Sequence, residues 1–278
     1  MTDTTSATTT APPIEGPHRR ARQWVMTMGL LSLAVLVAVV AWGLITLVLP
    51  GHRSFSYTAD TGVAAGGELR VETNNAAVTL ALSPDGQVHI TAQARYTTTA
   101  PTVGHSTAGD TTTITASCAS ESVNRCSLDV QVLLPVALPV TADAGNGQFT
   151  ARDLTGPLNL TTSNGTIQTE RTTGALALHT TNGTIAVTAA RSSRVTATTQ
   201  NGTVNLGFAA PPTTVEATTT NGVVDIAVPP AAYYITTHTT NGGIQTELPS
   251  DRYAAHTIIA TTSNGSIRVH PTNEAPQV

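Results

Sequence analysis

The sequence predicts an all-β fold: a β-solenoid made of stacked repeats of about 18–20 residues, preceded by one transmembrane α-helix and a disordered N-terminal tail. Three observations predict this fold. Asn-Gly pairs recur at nearly equal intervals, apolar residues alternate on both sides of each pair, and 26 residues without a charge precede the repeats. Composition agrees, because Thr makes up about a fifth of the chain and β-branched residues favour strands over helices.

The N-terminal tail is assigned to residues 1–23. Its first 17 residues are rich in Thr, Ala and Pro and carry almost no bulky apolar side chain. Such a segment cannot bury enough apolar surface to offset the entropy of folding, so we expect it to be disordered.

The uncharged segment, residues 24–49, is long enough to cross a bilayer, because 26 residues at about 1.5 Å each exceed the roughly 30 Å hydrocarbon core. Arg19, Arg20 and Arg22 precede it, whereas Arg53 alone lies close behind it. The positive-inside rule then predicts a single-pass protein with a cytoplasmic N-terminus and an extracellular C-terminal domain. A cleaved signal peptide is the alternative, but its apolar core is usually shorter and ends at an Ala-x-Ala-like site.

The repeated Asn-Gly pair is the strongest signal, with spacings of 18, 18, 19, 20, 20 and 23 residues. A period near 20 residues is typical of solenoids, in which each repeat packs on its neighbours. The predicted structural corners are Asn146, Gly147, Asn164, Gly165, Asn182, Gly183, Asn201, Gly202, Asn221, Gly222, Asn241, Gly242, Asn264 and Gly265.

Apolar residues stand at every second position before the Asn and again at every second position after it, and this alternation indicates two half-buried strands per repeat. Six residues before the Asn stand Val140, Leu158, Leu176, Val195, Val215, Ile235 and Ile258, and three residues after it stand Phe149, Ile167, Ile185, Val204, Val224, Ile244 and Ile267. The parity changes at Asn-Gly, so the chain turns there, and Gly supplies the positive φ that a corner needs. The Asn falls on the buried parity, where stacked carboxamides would satisfy one another. Ordinary hairpins with type I′ turns are the alternative architecture.

Residues 62–134 are predicted to form an irregular β cap ahead of the regular repeats of residues 135–270. The cap contains a degenerate repeat in which Asn75 is followed by Ala76, and solenoids need such caps to protect an open sheet edge. Residues 50–61 are assigned to a linker and residues 271–278 to a disordered C-terminus.

Cys118 and Cys126 are the only cysteines of the chain. Both follow the predicted membrane segment, and their eight-residue separation suits a strand–loop–strand disulfide in an oxidising compartment. Two cysteines without a neighbouring His do not make a structural zinc site, so neither a metal nor a cofactor is predicted.

The repeats, such as GPLNLTTSNGTI and GALALHTTNGTI, together with the entry segment CSLDVQVLLPVALPVTADAGNGQF, resemble the putative-adhesin β-strand-repeat family of bacterial envelope proteins. The resemblance covers about residues 62–270 and implies a domain of unknown function with no catalytic residues to carry over. Two departures stand out: PPTTVEATTTNGVV lacks the leading Gly, and the 23-residue spacing implies an insertion. The resemblance places the predicted membrane anchor in a bacterial cell membrane.

Several functions are disfavoured by the charges of the chain. Beyond residue 50, 15 acidic residues outnumber 10 Arg, so nucleic acid is not an expected partner. Asp225 and Glu216 are the one carboxylate pair that suggests glycoside hydrolysis, which needs two carboxyl groups about 5–9.5 Å apart. His179 and His238 share an outward column but stand three repeats apart, roughly 14 Å at the usual strand spacing, too far to share a metal. An enzyme is therefore not expected.

The outward positions are mainly threonines: Thr161, Thr198, Thr218 and Thr261, with Thr181, Thr220 and Thr240 beside them. They predict either an ordinary soluble β surface or a hydroxyl-rich face for contact with an envelope glycan or a surface protein. The sequence thus predicts a membrane-anchored, surface-displayed binding module whose other contact is the lipid bilayer through residues 24–49. An envelope-stress or signalling accessory with an external sensing domain is the main alternative, and a polysaccharide-active enzyme is a weaker one.

Overall fold

The computed structural model describes residues 53–63, 66–119 and 125–272. The predicted tail (1–23) and transmembrane helix (24–49) lie outside these residues. All the regular structure of the described residues is β, and it comprises 21 strands in two sheets. A search of the same residues finds no helix with the length and apolar character to cross a membrane. The all-β prediction is confirmed for this part of the chain.

The strands are short and most alternate between buried and outward side chains. In chain order they are β1 (Arg53–Thr61), β2 (Glu68–Thr73), β3 (Ala77–Leu82), β4 (Val88–Tyr96), β5 (Thr102–Ala108), β6 (Thr111–Ser117), β7 (Ser127–Leu134), β8 (Val140–Ala144), β9 (Gln148–Arg152), β10 (Leu158–Asn164), β11 (Ile167–Glu170), β12 (Leu176–Asn182), β13 (Ile185–Ala190), β14 (Arg194–Asn201), β15 (Val204–Phe208), β16 (Thr214–Asn221), β17 (Val224–Val228), β18 (Tyr233–Asn241), β19 (Ile244–Thr246), β20 (His256–Asn264) and β21 (Ile267–Pro271).

The two sheets pack face to face, and each rung of the solenoid gives one strand to each sheet. Sheet A has the order β1-β4-β7-β3-β9-β11-β13-β15-β17-β21-β19, and sheet B has the order β18-β20-β16-β14-β12-β10-β8-β2-β6-β5. From β8 to β17 the rungs stack in chain order as parallel, in-register neighbours, with Asn182 opposite Asn201 and Val195 opposite Val215. The predicted aliphatic columns are buried between the sheets along this stretch.

The last two repeats are stacked out of chain order. Strand β20 lies between β16 and β18, and β21 lies between β17 and β19, so the final repeat is inserted beneath the one that precedes it. Stacking in chain order, which a simple series of repeats implies, does not hold here. Burial follows this order, because Ile258 and Val269 are fully buried in the inserted rung, whereas Ile244 of the outer rung, at the edge of sheet A, is 47% exposed.

At the N-terminal end, too, one repeat is inserted out of chain order, and further strands then cover the end of the stack. The degenerate copy, β2 and β3, lies between the rung β8/β9 and the rung β6/β7. Antiparallel strands β4 and β1 extend sheet A beyond β7, and β5 extends sheet B beyond β6. Residues 53–61, assigned to a linker from the sequence, form β1 because Phe55 and Tyr57 pack against the core at this end. Likewise Pro271, assigned to a disordered C-terminus, ends β21.

The corner glycines are required because the backbones of adjacent rungs approach closely. Five of them have positive φ, between 151° and 159°, but the tighter constraint is steric. A Cβ on Gly183 would overlap the carbonyl oxygen of Gly165, and a Cβ on Gly202 would overlap that of Gly183. The same overlap recurs at Gly165, Gly222, Gly265 and Gly242, each against the glycine of the next rung toward the N-terminal end.

A threonine two residues before every corner Asn except Asn146 completes the corner, and it is buried in every such rung but the outermost one. Its hydroxyl donates to the carbonyl of the neighbouring glycine, as from Thr180 to Gly165 at 3.3 Å and from Thr219 to Gly202 at 3.2 Å. The sequence interpretation missed these threonines. The signal that could have found them is their parity, which is that of the buried positions four and six residues before the Asn.

Replacing Gly202 with Ala is expected to lower the free energy of unfolding by roughly 2–4 kcal/mol, because the new methyl group would push the two corners apart. Gly207→Ala in the same rung is the matched control. Its Cβ would lie 3.4 Å from the carbonyl oxygen of Val187, an ordinary contact, so its loss should stay below about 1 kcal/mol. Urea unfolding followed by circular dichroism compares them. Equal losses would contradict the steric explanation.

Candidate functional site

A ladder of asparagine side chains runs along the Asn-Gly corner. Each carboxamide of an Asn-Gly pair donates its Nδ2–H to the Oδ1 of the Asn in the neighbouring rung, at 2.7–2.9 Å. In spatial order the ladder is Asn75, Asn146, Asn164, Asn182, Asn201, Asn221, Asn264 and Asn241. The stacked carboxamides are present, but their expected burial is wrong. Each Asn at an Asn-Gly corner is exposed, because it lies at or just beyond the end of its strand and its side chain lies outside the sandwich.

The predicted disulfide between Cys118 and Cys126 is confirmed, and it closes the connection between β6 and β7. The carboxamide of Asn74 ties this connection to the corner. Its Nδ2 donates to the Cys118 carbonyl at 2.9 Å, and its Oδ1 accepts from the Cys118 N–H at 3.1 Å. The disulfide therefore stabilises the N-terminal end of the stack, where the Asn ladder begins.

The outer face of sheet B is a flat polar surface, here called the threonine face. Its central column consists of the residues three before each corner Asn, aligned by strand register as Asp143, Thr161, His179, Thr198, Thr218, Thr261 and His238. A parallel column, two residues earlier, reads Thr141, Asn159, Ala177, Thr196, Glu216, Ile259 and Thr236. Across these two columns Asp143 and Glu216 are the two carboxylates, and most of the other side chains are threonines, so the face presents mainly hydroxyl and methyl groups.

The two residues proposed as a hydrolytic pair do not come together. Glu216 points outward from sheet B between buried Val215 and Ala217, whereas Asp225 points outward from sheet A between buried Val224 and Ile226. The two carboxylates thus lie on opposite outer faces of a sandwich whose sheets are about 10 Å apart. Asp225 instead faces His270, with its Oδ1 3.5 Å from the imidazole Nε2.

His179 and His238 are farther apart than the sequence suggested. The inserted strand β20 puts four rung steps between them instead of three, which corresponds to roughly 19 Å. Two imidazoles at this distance cannot share a metal ion. In the described parts of the chain, His, Cys, Asp and Glu nowhere gather in a group of three or more that could hold a metal.

The outer face of sheet A differs because its charged residues pair with one another. Arg152 contacts Glu170 at 3.2 Å across neighbouring rungs, and Arg268 contacts Glu247 at 2.8 Å. At the corner opposite the Asn ladder, the Arg171 guanidinium donates to both Asp153 oxygens at 2.6 and 2.8 Å and thereby lowers the pKa of Asp153. These groups satisfy each other, which leaves fewer free polar groups for a ligand than the threonine face offers.

A charged cluster joins β1 to the rest of the domain. His89 contacts Asp60 through Nδ1 at 2.7 Å and Asp85 through Nε2 at 2.8 Å. The hydrogen bond to Asp60, followed by that to Asp85, raises the pKa of His89 above its ordinary 6.5. The pKa of Asp85 is lowered, first by the N–H of Gln87 and next by the Ser83 hydroxyl.

Comparison with known proteins supports the resemblance inferred from the repeats. The family model described as Toastrack DUF4097 matches residues 45–270. No curated protein matches the chain.

Three solved structures resemble the chain at low sequence identity. A putative cell adhesion protein from Clostridium sporogenes is 11% identical, with 79% of this chain and 100% of that chain covered and a TM-score of 0.39. A putative adhesin from Bacteroides fragilis is 14% identical, with coverages of 78% and 97% and a TM-score of 0.40. A putative lipid binding protein from Parabacteroides distasonis is 10% identical, with the same coverages and a TM-score of 0.27.

Removing one carboxamide from the middle of the Asn ladder should cost more than removing the last one. Asn182→Ala loses a donated and an accepted hydrogen bond, whereas Asn241→Ala loses the donated bond alone. At about 0.5–1.5 kcal/mol for each bond, we expect losses of roughly 1–3 and 0.5–1.5 kcal/mol, respectively. Urea denaturation of the two variants measures the difference. A larger loss for Asn241→Ala would show that the ladder does not stabilise the stack as described.

The attachment of β1 through His89 should weaken as pH rises. Because the pKa of His89 is higher in the folded state than its ordinary 6.5, the stabilisation is complete below about pH 6.5 and is lost as pH rises through the folded-state pKa. The midpoint of thermal unfolding, compared between wild type and His89→Gln, should differ most near pH 6 and converge in mildly alkaline buffer. A difference that grows with pH would contradict this assignment.

Proposed function

The chain belongs to the Toastrack DUF4097 family, and from this premise we propose that it is a membrane-anchored binding module whose threonine face contacts cell-envelope glycan. One observation carries the proposal: the register of sheet B aligns the half-exposed hydroxyl side chains of Thr198, Thr218 and Thr261, from three successive rungs, in one outward column. A hydroxyl group both donates and accepts hydrogen bonds, so such a column can pair with the hydroxyl groups of a neutral polysaccharide.

The chemistry of the face favours a glycan over a charged partner. From β8 to β18 its two central columns hold two carboxylates, Asp143 and Glu216, and no Arg, whereas the outer face of sheet A carries several paired charges. Each contact on such a shallow surface is weak. A polymer that spans several rungs makes many contacts at once, and linked contacts raise the overall affinity without a deep pocket.

The proposed location follows from the sequence. Residues 24–49 would anchor the protein in the bacterial membrane, with the N-terminus in the cytoplasm and the β-domain displayed outside. The uncharged span of 26 residues and the cluster of three Arg ahead of it support this orientation. The Cys118–Cys126 disulfide supports an oxidising, extracytoplasmic environment for the domain.

Placing bulky charges on the threonine face should abolish glycan binding. We expect the double variant Thr198→Arg/Thr218→Arg to bind isolated envelope polysaccharide at least about tenfold more weakly than wild type, because adjacent hydroxyl groups are lost and two guanidinium groups block the column. Sedimentation with the insoluble polysaccharide measures this affinity, and a glycan array identifies which sugars the protein binds.

The matched control is Asn205→Arg, which lies on the opposite outer face in the rung of Thr198. It should bind like wild type. Unchanged binding by the double variant would refute the role of the threonine face. Failure of the wild-type protein to bind any envelope glycan, with capture of a surface protein instead, would refute the proposed ligand class.

A further inference from the structure

The Asn-Gly corners differ in how the backbone N–H of the glycine is bonded. At five corners this N–H donates to the Asn carbonyl of the next rung toward the C-terminal end of the stack, at 2.9–3.1 Å. These corners are Gly165, Gly183, Gly202, Gly222 and Gly265. The carboxamide of the preceding Asn is also held from both sides, because it donates to one neighbouring rung and accepts from the other.

The corner Asn241-Gly242 lies at the open end of the stack, where no further rung follows in the described structure. The Asn241 carboxamide donates to Asn264, but its Oδ1 has no donor among the described residues, and the Gly242 N–H has no acceptor there. Gly243 follows, and a Cβ placed on it would meet no atom of the described residues within 4 Å. Asn241, Gly242 and Gly243 are all exposed.

The edge of β18 is covered over its first half. Ser250 pairs with the backbone of Ile235, since its Oγ accepts from the Ile235 N–H at 2.9 Å and donates to the Ile235 carbonyl at 3.3 Å. Asp251 donates its N–H to the Tyr233 carbonyl at 2.8 Å. No comparable cover reaches the last residues of β18 within the described part of the chain, so the free corner coincides with the uncovered half of the edge.

We propose that Asn241 is a site of spontaneous deamidation, whereas the corners inside the stack are protected. In this reaction the backbone nitrogen of Gly242 loses its proton and attacks Cγ of Asn241. The new N–C bond closes a succinimide ring, and Nδ2 leaves as ammonia with that proton. Water then opens the ring at either carbonyl and gives aspartate or isoaspartate. The net change is Asn plus water to an acidic residue plus ammonia, with no oxidant or cofactor.

Protection of the inner corners follows from their hydrogen bonds. The attacking nitrogen must give up its bond to the next rung, and the carboxamide must rotate out of the ladder, so the reaction needs local opening. The corner Asn146-Gly147 should react at an intermediate rate. The Gly147 N–H has no acceptor among the described residues, but the Asn146 carboxamide is held by Asn75 and Asn164. The expected order of rates is Asn241 first, Asn146 second and the five remaining corners last.

Deamidation would change the end of the stack. The Nδ2–H donor of Asn241 would be replaced by a carboxylate oxygen facing the Oδ1 of Asn264, so an attraction becomes a repulsion. The terminal rung β18/β19 is already the most exposed of the regular rungs. We therefore expect the modified rung to open more readily while the rungs below it stay intact, as in other repeat proteins.

Peptide mapping by mass spectrometry tests the proposal on the full-length protein, incubated in mildly alkaline buffer at growth temperature. The native protein should gain the acid at Asn241 at least about tenfold faster than at Asn182 or Asn201, since opening free energies rise from the edges to the centre of a fold. The same protein incubated in urea is the control, and there the seven Asn-Gly sites should react at similar rates because every neighbouring rung is lost.

The variant Asn241→Gln identifies the site, because a Gln closes the corresponding ring far less readily. It should remove the fast-forming acidic species from the native sample and leave the slow sites unchanged. Native reactivity at Asn241 that is no faster than at Asn182 would overturn the proposal. So would a native ranking of sites identical to the ranking in urea, since the ladder would then give no protection.

Discussion

Close contact between glycine backbones at the Asn-Gly corner is the constraint on which the rest of the structure depends. The absence of a side chain lets Gly183 lie directly against the Gly165 carbonyl, and the same contact recurs from rung to rung. It fixes both the spacing and the register, and the carboxamide ladder and the buried Thr hydroxyl groups then hydrogen-bond in that register. Once the register is set, every inward column falls inside the sandwich and every outward column becomes a straight row on its surface.

Much of this architecture could be predicted from the sequence, because it depends on the local sequence pattern of each repeat. The alternation of apolar residues, the corners and the disulfide all depend on short segments of chain. The prediction that the Asn side chains are buried is wrong because the alternation of inward and outward side chains holds only within a strand, and the Asn lies where the strand ends. Strand β1 was missed because Phe55 and Tyr57 pack weakly, and their partner strand β4 is distant in sequence.

The order of the last two repeats could not be predicted from the corner motif, because every rung presents the same edge to a neighbour. Asn264 fits next to Asn221 as well as Asn241 would, since both offer the same donor and acceptor. The two rungs differ in the polarity of their inward residues. Thr237 and Thr246 stand at inward positions in the outer rung, where Ala260 and Val269 stand in the inserted rung. A rung with polar inward positions tolerates solvent and therefore suits the end of the stack.

The inserted repeat also bears on what the solenoid can do. A stack that ended with the C-terminal repeat would expose a rung free to fray, since a chain terminus is tied on one side alone. Here the outermost rung is an internal segment, connected at both ends and partly covered by Ser250 and Asp251. The final repeat is held between two rungs instead. The column that begins at Asp143 and Thr161 therefore continues in register through Thr261 to His238, so the threonine face extends over the full height of the regular stack. A long face of weak, repeated contacts is what a polymer ligand requires, because affinity then grows with the number of rungs engaged.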